Sequence, residues 1–213
     1  MKRTMKSTLG TIATVAAVSL TLAACSSSGS KDTGKPLASI PSLTGQTTAV
    51  KLDSGFLADL TALKLTPGVI GTAKLDAGSL IFPITGGNVT YYKPGGKVEP
   101  FVQGTIDHNG SGLSLTAGKT VVSLTNFTID PGKSLLYGDV AANGTSVVKQ
   151  TVLFDLDGTT LKPLQTSGST AILQGTTVHV SPGAAALLDS TFKTQAVKGG
   201  LLVGVATITV NTK

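Results

Sequence analysis

One cysteine, one arginine and one glutamate are spread over 213 residues, with two histidines and no tryptophan. Each scarcity closes off a class of function. A single thiol, Cys25, permits no intramolecular disulfide and no thiolate metal cage, so stability has to come from an apolar core. Beyond Arg3 there is no guanidinium, and the lysines are scattered. Bidentate recognition of phosphate or base edges leans on arginine, so nucleic acid is not an expected partner. Glu99 alone leaves a paired-carboxylate hydrolase short of candidates. His108 and His179 have no cysteine partner and no second histidine three or four residues away, so no metal-ligand spacing is present.

What is there begins with an address. Lys2, Arg3 and Lys6 precede a run of small and apolar residues from 9 to 24, followed by "LAAC", Leu22-Ala23-Ala24-Cys25. The run is too short for a membrane span and ends in small residues, as a secretory signal does. "LAAC" resembles the bacterial lipobox. That resemblance implies a diacylglycerol with palmitate-type chains on the Cys25 sulfur, which then begins the mature protein at the outer face of the cell membrane. Removing residues 1–24 takes three basic residues from 17, leaving 14 against 11 acidic ones, so the formal charge falls from +6 to +3. Residues 25–46 are rich in Ser, Gly and Pro and read as a flexible tether. Residues 47–213 read as one domain, long enough for a sizeable core.

From Thr47 onward, short runs of Val, Ile, Leu and Thr are cut by turn signals. These fall at Gly86-Gly87, Pro94-Gly95-Gly96, Asn109-Gly110, Pro131-Gly132 and Asn143-Gly144. That rhythm predicts an all-β fold, a single antiparallel sandwich-like or open-barrel domain. Two segments depart from it. "DSGFLADLTAL" (53–63) opens on an N-cap residue and carries Phe56, Leu57, Leu60 and Leu63 at helical spacing. "SPGAAALLDSTF" (181–192) has Ser181 as cap and Pro182 at the first helical position. Two short helices are expected. Offset by 128 residues, "TTAVKLDSGFLADL" lies over "TTVHVSPGAAALL", with Gly55 on Gly183 and Leu60 on Leu188. A strand–helix–strand unit used twice would bracket the antiparallel middle.

"VLFDLDGTT" (152–160) resembles the first motif of the haloacid-dehalogenase phosphatases, in which the first Asp is the nucleophile and the second the acid/base. Such an enzyme needs a helix-covered parallel sheet, a downstream Lys and an acidic pair for magnesium. After Asp157 the one remaining carboxylate is Asp189. A calcium loop opening at Asp155 would need Glu at its twelfth position, where Thr166 stands. The stretch therefore reads as a strand ending in an Asp157-Gly158 turn. No Gly-x-Ser-x-Gly elbow is present, and no catalytic residues are assigned.

Between Phe82 and Val140, "FPITGGNVTYY", "GTIDHNGSGLSL" and "LYGDV" keep the order and spacing of a known pattern. It includes Gly86, Gly87, Tyr91, Gly104, His108, Gly110, Leu113, Leu115 and Tyr137. The set resembles the HtaA-type haem-uptake domain of Gram-positive bacterial surface proteins. The resemblance implies a haem ligand, with a His of the "G-x3-H" motif supporting an axial Tyr on an upstream "S-F-R-x-Y" segment. The matching segment here is "SGFLADL", where Asp59 and Leu60 stand in place of that Tyr. Tyr91, Tyr92 and His108 are the residues left to contact a ligand, and no spacing argument favours one of them. As a residue in its own right, His108 before Asn109-Gly110 also fits an exposed turn position or a buried hydrogen-bonded one. His179 aligns with Lys51 in the repeat and fits an exposed position.

Two functions follow, neither enzymatic. One is a lipid-anchored module that captures haem or another apolar molecule in a crevice near Tyr91, Tyr92 and His108. The other is a structural or protein-interaction lipoprotein whose ligand site has decayed. An open apolar cleft beside His108 would favour the first. A crevice filled by Phe56, Leu57 and Leu60 would favour the second.

Overall fold

The computed structural model describes residues 34–213. The signal segment 1–24 and Cys25 lie outside the described residues. The strands are β1 (Ala38–Ile40), β2 (Gln46–Leu52), β3 (Thr66–Gly71), β4 (Lys74–Asp76), β5 (Ser79–Pro83), β6 (Gly86–Tyr91) and β7 (Val102–Ala117). They continue as β8 (Thr120–Asp130), β9 (Leu135–Ala142), β10 (Thr145–Asp157), β11 (Gln165–Ser167), β12 (Thr170–Val180) and β13 (Leu202–Asn211). Two helices interrupt them, α1 (Ser54–Ala62) and α2 (Pro182–Phe192). The strands form one sheet in the order β1-β6-β7-β8-β9-β10-β12-β13-β2-β5-β4, with β3 added to β7 and β11 to β12. It is a curled antiparallel half-barrel, the open-barrel form of the expected all-β fold.

Alternation of β-branched and polar residues makes these strands, and irregularities in the alternation make them curl. In β8 the buried residues are Val122 and Leu124, then Phe127 and Ile129. The phase slips by one at Asn126, which has a φ of 53°. β7 slips at the same level, where its pairing with β8 jumps from His108 to Gly112. Hydrogen bonds join the slips across the sheet. Gly110 N donates to Asn126 Oδ1 at 3.0 Å, Asn126 Nδ2 to Asp139 Oδ2 at 2.9 Å, and Gln150 N to Asp139 Oδ1 at 2.9 Å. A row of β-bulges over β7 to β10 bends the strands and increases their twist. Asn109-Gly110 is therefore a bulge inside a 16-residue strand and not a hairpin turn. Gly86-Gly87 likewise begins a strand. At Gly87 the φ of 109° and a carbonyl of Thr105 that would lie 2.1 Å from any Cβ leave room for glycine alone.

Both helices start where their caps predict. Asp53 Oδ1 accepts from Gly55 N at 2.8 Å and from Phe56 N at 3.2 Å, and Ser181 Oγ accepts from Ala184 N at 3.1 Å. The caps fall at equivalent positions of the internal repeat, as do Leu60 and Leu188. β2 and β12 flank β13 and are both antiparallel to it, so they run the same way and release α1 and α2 at one end of the sheet. The repeat does not extend to the returning strands. β13 returns between β12 and β2, whereas β3 crosses to β7.

The folded body also begins earlier than Thr47. Within the segment expected to be tether, Ala38–Ile40 pairs with β6, and Leu43 is 4% exposed. Leu43 in the core and Ile40 packed against it hold this stretch at the otherwise unpaired edge of β6, while Leu37 contributes its backbone N–H to Tyr91 O and stays exposed.

Candidate functional site

The concave face of the half-barrel has three levels, read along β2 from Thr48 through Val50 to Leu52, the alternate residues that point inward. At the Leu52 end the two helices close the sheet. Phe56, Leu60 and Leu63 of the α1 segment and Leu188 of α2 pack with Leu52, Leu80, Leu113, Leu124 and Phe154, leaving a space of about 50 Å³. That is room for one or two waters. Leu57 points away and is 39% exposed, so Phe56 and Leu60 do the filling. Asp59 and Leu60, which stand in place of the implied axial Tyr, both border this closed level.

The middle level holds His108. Its side chain is 1% exposed and faces inward from β7 beside Ile106. Nε2 shares a hydrogen bond of 2.9 Å with Thr48 Oγ1, and the ring meets Phe82 edge-on at 6.3 Å. Nδ1 has no hydrogen-bond partner among the described residues. The Phe127 carbonyl on the neighbouring strand lies near enough to favour a charged ring without forming a hydrogen bond to it. Burial outweighs that and the Asp107 carboxylate, and pushes the imidazole down to about 4. His108 is thus a neutral, interior histidine on a strand. A cavity of about 40 Å³ adjoins it, lined by Phe82, Phe127, Phe154 and other apolar side chains.

At the far level the sheet stays open. A cavity of about 770 Å³ lies between β1, β2, β6 to β13 and the connections at 92–101, 131–134 and 158–164. Its walls are Ile40, Val89, Ile106, Ile129, Leu136, Leu156, Leu173, Val178, Ala206, Ile208 and Val210. Ligand pockets for small molecules span about 300–1,000 Å³ with mostly apolar walls and a few placed polar groups. Here the polar groups are hydroxyls, among them Ser39, Thr48, Ser134 and Thr166, and two exposed carboxylates, Glu99 and Asp157. No lysine lines this cavity, and no arginine occurs among the described residues. Asp157 accepts from Thr159 N at 2.8 Å, and hydrogen bonds from Thr159 hold its carboxyl below the usual range.

The structure separates the three residues singled out from the sequence. Tyr91 lines the large cavity and meets Phe101 edge-on at 5.6 Å. Tyr92 is half-buried next to it but is not among the lining residues, and its backbone N donates to Phe101 O. His108 sits one level below. Thr48 borders both its space and the large cavity, as do Val50, Ile129, Leu136 and Val178, and it is the polar residue of that shared wall. His179 is half-buried rather than exposed, with its nitrogens bonded to Gly200 O and Thr177 Oγ1. Asp155 pairs across the sheet with His179, and among the described residues no three His, Cys, Asp or Glu gather to hold a metal.

The cavity itself was not legible in the sequence, because inward Val, Ile and Leu alternate identically whether they face a second sheet or an empty cleft. The available signal was shortage. With aromatics at 4% of the chain and no tryptophan, a sheet this long has too little bulk to fill its own interior.

Solved structures share this fold, among them three from Corynebacterium glutamicum. The C-terminal domain of HtaA from Corynebacterium glutamicum superposes with a TM-score of 0.54 at 16% identity, covering 80% of this chain and 98% of that domain. The N-terminal domain of the same protein gives 0.51 at 12% identity, over 79% of this chain and 97% of that one. The heme binding protein HtaB from the same organism gives 0.50 at 9% identity, over 82% and 96%. No family model matches the sequence, and neither does any curated protein. At these identities the likeness is one of fold.

The residues present do not suit a haem held in the manner the resemblance implies. The level beneath α1 is packed, Asp59 and Leu60 stand where the Tyr is implied, and the space adjoining His108, about 40 Å³, is too small for a macrocycle. Among the described residues, Tyr91 alone of the residue types that ligate haem iron lines the open cavity.

Proposed function

We propose that this chain is a lipid-anchored, extracytoplasmic binding module that holds an apolar small molecule in the 770 Å³ cavity, by binding and not by catalysis. The observation that carries the reading is the cavity: an unfilled apolar concavity in a sheet whose other end is closed by two capped helices. Its size and lining are those of a ligand site. Support for the location is the "LAAC" box behind a basic and apolar leader. The fold relatives include a protein described as heme binding, which makes a bound apolar molecule a natural use of this half-barrel.

A haem ligand is a second reading, favoured by one observation, the Tyr91 phenol on the cavity wall. Titration of the purified mature chain with an environment-sensitive apolar dye tests the main reading. Saturable binding at one site is expected, weakened by Ala171→Phe, which puts a ring into the cavity. A parallel haem titration watches the Soret band. Folded protein that binds neither dye nor haem would remove the proposal and leave the protein-interaction reading.

A further inference from the structure

The lining of the large cavity specifies more than apolarity, and the following rests on the binding reading above. We infer that the ligand is an acyl-chain lipid whose head is uncharged or cationic, of the diacylglycerol kind, and that carboxylate-bearing ligands, haem included, are disfavoured. The inference comes from charge. An anionic group carried into or held at an apolar cavity needs a cation or several N–H donors to replace its water. No lysine or arginine is among the lining residues, and the charged side chains that are there, Glu99 and Asp157, are both negative. Both are exposed, so they mark where the cavity meets solvent. They sit on different segments, Glu99 before β7 and Asp157 at the end of β10, each fixed by the turn it serves. Gly95 N donates to Glu99 Oε1 at 2.9 Å and Thr159 N to Asp157 Oδ1 at 2.8 Å. A carboxylate ligand entering here meets like charge, which costs affinity, whereas a hydroxyl or amine head meets acceptors.

The interior adds shape. The aliphatic wall residues, Val, Ile, Leu and Ala, come from nine strands, and Tyr91 and Phe101 are the aromatic rings among the lining residues. Flexible chains fill irregular apolar space of that kind, while a flat, rigid macrocycle needs facing planes or an axial ligand. Hydroxyls of Ser39, Ser134 and Thr166 are present for the ester and hydroxyl oxygens of a neutral head.

The test compares two probes that share one fluorescent acyl chain, a diacylglycerol and the free fatty acid, at pH 7.5 with the mature chain. The diacylglycerol is expected to bind about tenfold tighter or more, from like-charge repulsion of the acid. In the double variant Glu99→Gln/Asp157→Asn the gap should shrink because the acid gains affinity. Equal binding of both probes, or tighter binding of the acid, overturns the ligand class and leaves the binding module standing. Haem binding that is lost in Tyr91→Phe, with no binding of either lipid, overturns it too and favours the second reading. A folded protein that binds no probe at all overturns both this inference and the function on which it rests.

Discussion

His108 Nε2 and Thr48 Oγ1 lie 2.9 Å apart, a buried hydrogen bond between β7 and β2 that joins an interior histidine to the floor of the open cavity. The other ring nitrogen has no partner among the described residues. A histidine so placed is held in its neutral form by burial, and this makes acid the natural enemy of the fold.

The sign follows from the two protonation states. The folded imidazole titrates at about 4, against 6.5 as its ordinary value. Between these values the unfolded chain takes up a proton that the folded chain refuses, so stability is complete above pH 6.5 and falls as pH drops toward 4. The difference corresponds to about 3 kcal/mol in total. Urea unfolding of wild type at pH 7 and pH 4.5 should show much of that loss, and His108→Leu should flatten it. A wild-type stability that does not change over this interval would mean that the histidine is solvated in the folded state.

Thr48→Val removes the partner of Nε2 without changing the shape of the side chain. It leaves both ring nitrogens buried and unsatisfied, which costs about 1–3 kcal/mol. In the His108→Leu background the same change should cost much less, since there is no imidazole left to satisfy. Denaturant midpoints of the four proteins in this cycle measure the coupling.

How much of this could be read from residues alone depends on whether the signal is local. Asp53 and Ser181 announced their helices because a cap is a bond to a backbone N–H two or three residues away. The strands announced themselves by alternation. Asn109-Gly110 misled because positive φ is all the dipeptide encodes, and whether a chain then reverses or merely bulges is decided by the partner strand, here through Asn126. Tyr91 was singled out with Tyr92 and His108, yet only the strand order brings Tyr91 to the cavity. That order puts β6 beside β7 and across from β12 and β13, which no local pattern encodes.

Leu60 and Leu188 occupy equivalent places in the internal repeat and line the same small space under the helices. Each is a buried leucine, so Leu60→Ala and Leu188→Ala should each destabilise by about 2–5 kcal/mol. Because their cavities adjoin, the double variant should depart from the sum by about 0.5 kcal/mol or more. Strict additivity in thermal or urea unfolding would show that α1 and α2 do not share one packed level.

Asp155 and Asp157 carry the phosphatase-like spelling but are built into the end of β10, which is flanked by β9 and β12. Asp155 faces His179 across an antiparallel pair, and Asp157 closes a turn by accepting from Thr159 N. Asp155→Asn should leave magnesium-dependent hydrolysis of a phosphomonoester at the blank rate, unchanged from wild type. Asp157→Asn retains an oxygen acceptor for the turn, so the urea midpoint should stay close to that of wild type. Hydrolysis in wild type that disappears with Asp155→Asn would refute the structural role assigned to this strand.

Cys25 lies ahead of the described residues, and its lipid is a proposal that rests on "LAAC". One acyl chain gives weak, reversible membrane attachment, whereas stable anchoring takes two. A thioether-linked diacylglycerol supplies two, so the wild-type protein should fractionate with membranes and enter the detergent phase. Cys25→Ser removes the sulfur and should send the same protein, with its folded body intact, into the aqueous fraction. Labelled palmitate should be incorporated by wild type and not by the variant. The two measurements together separate a lipid anchor from adhesion through the cavity, because adhesion would survive the loss of Cys25 and would be reduced by Ala171→Phe. Wild-type protein found wholly in the aqueous phase, without label, would make Cys25 an unmodified residue and return the leader to an ordinary secretory signal.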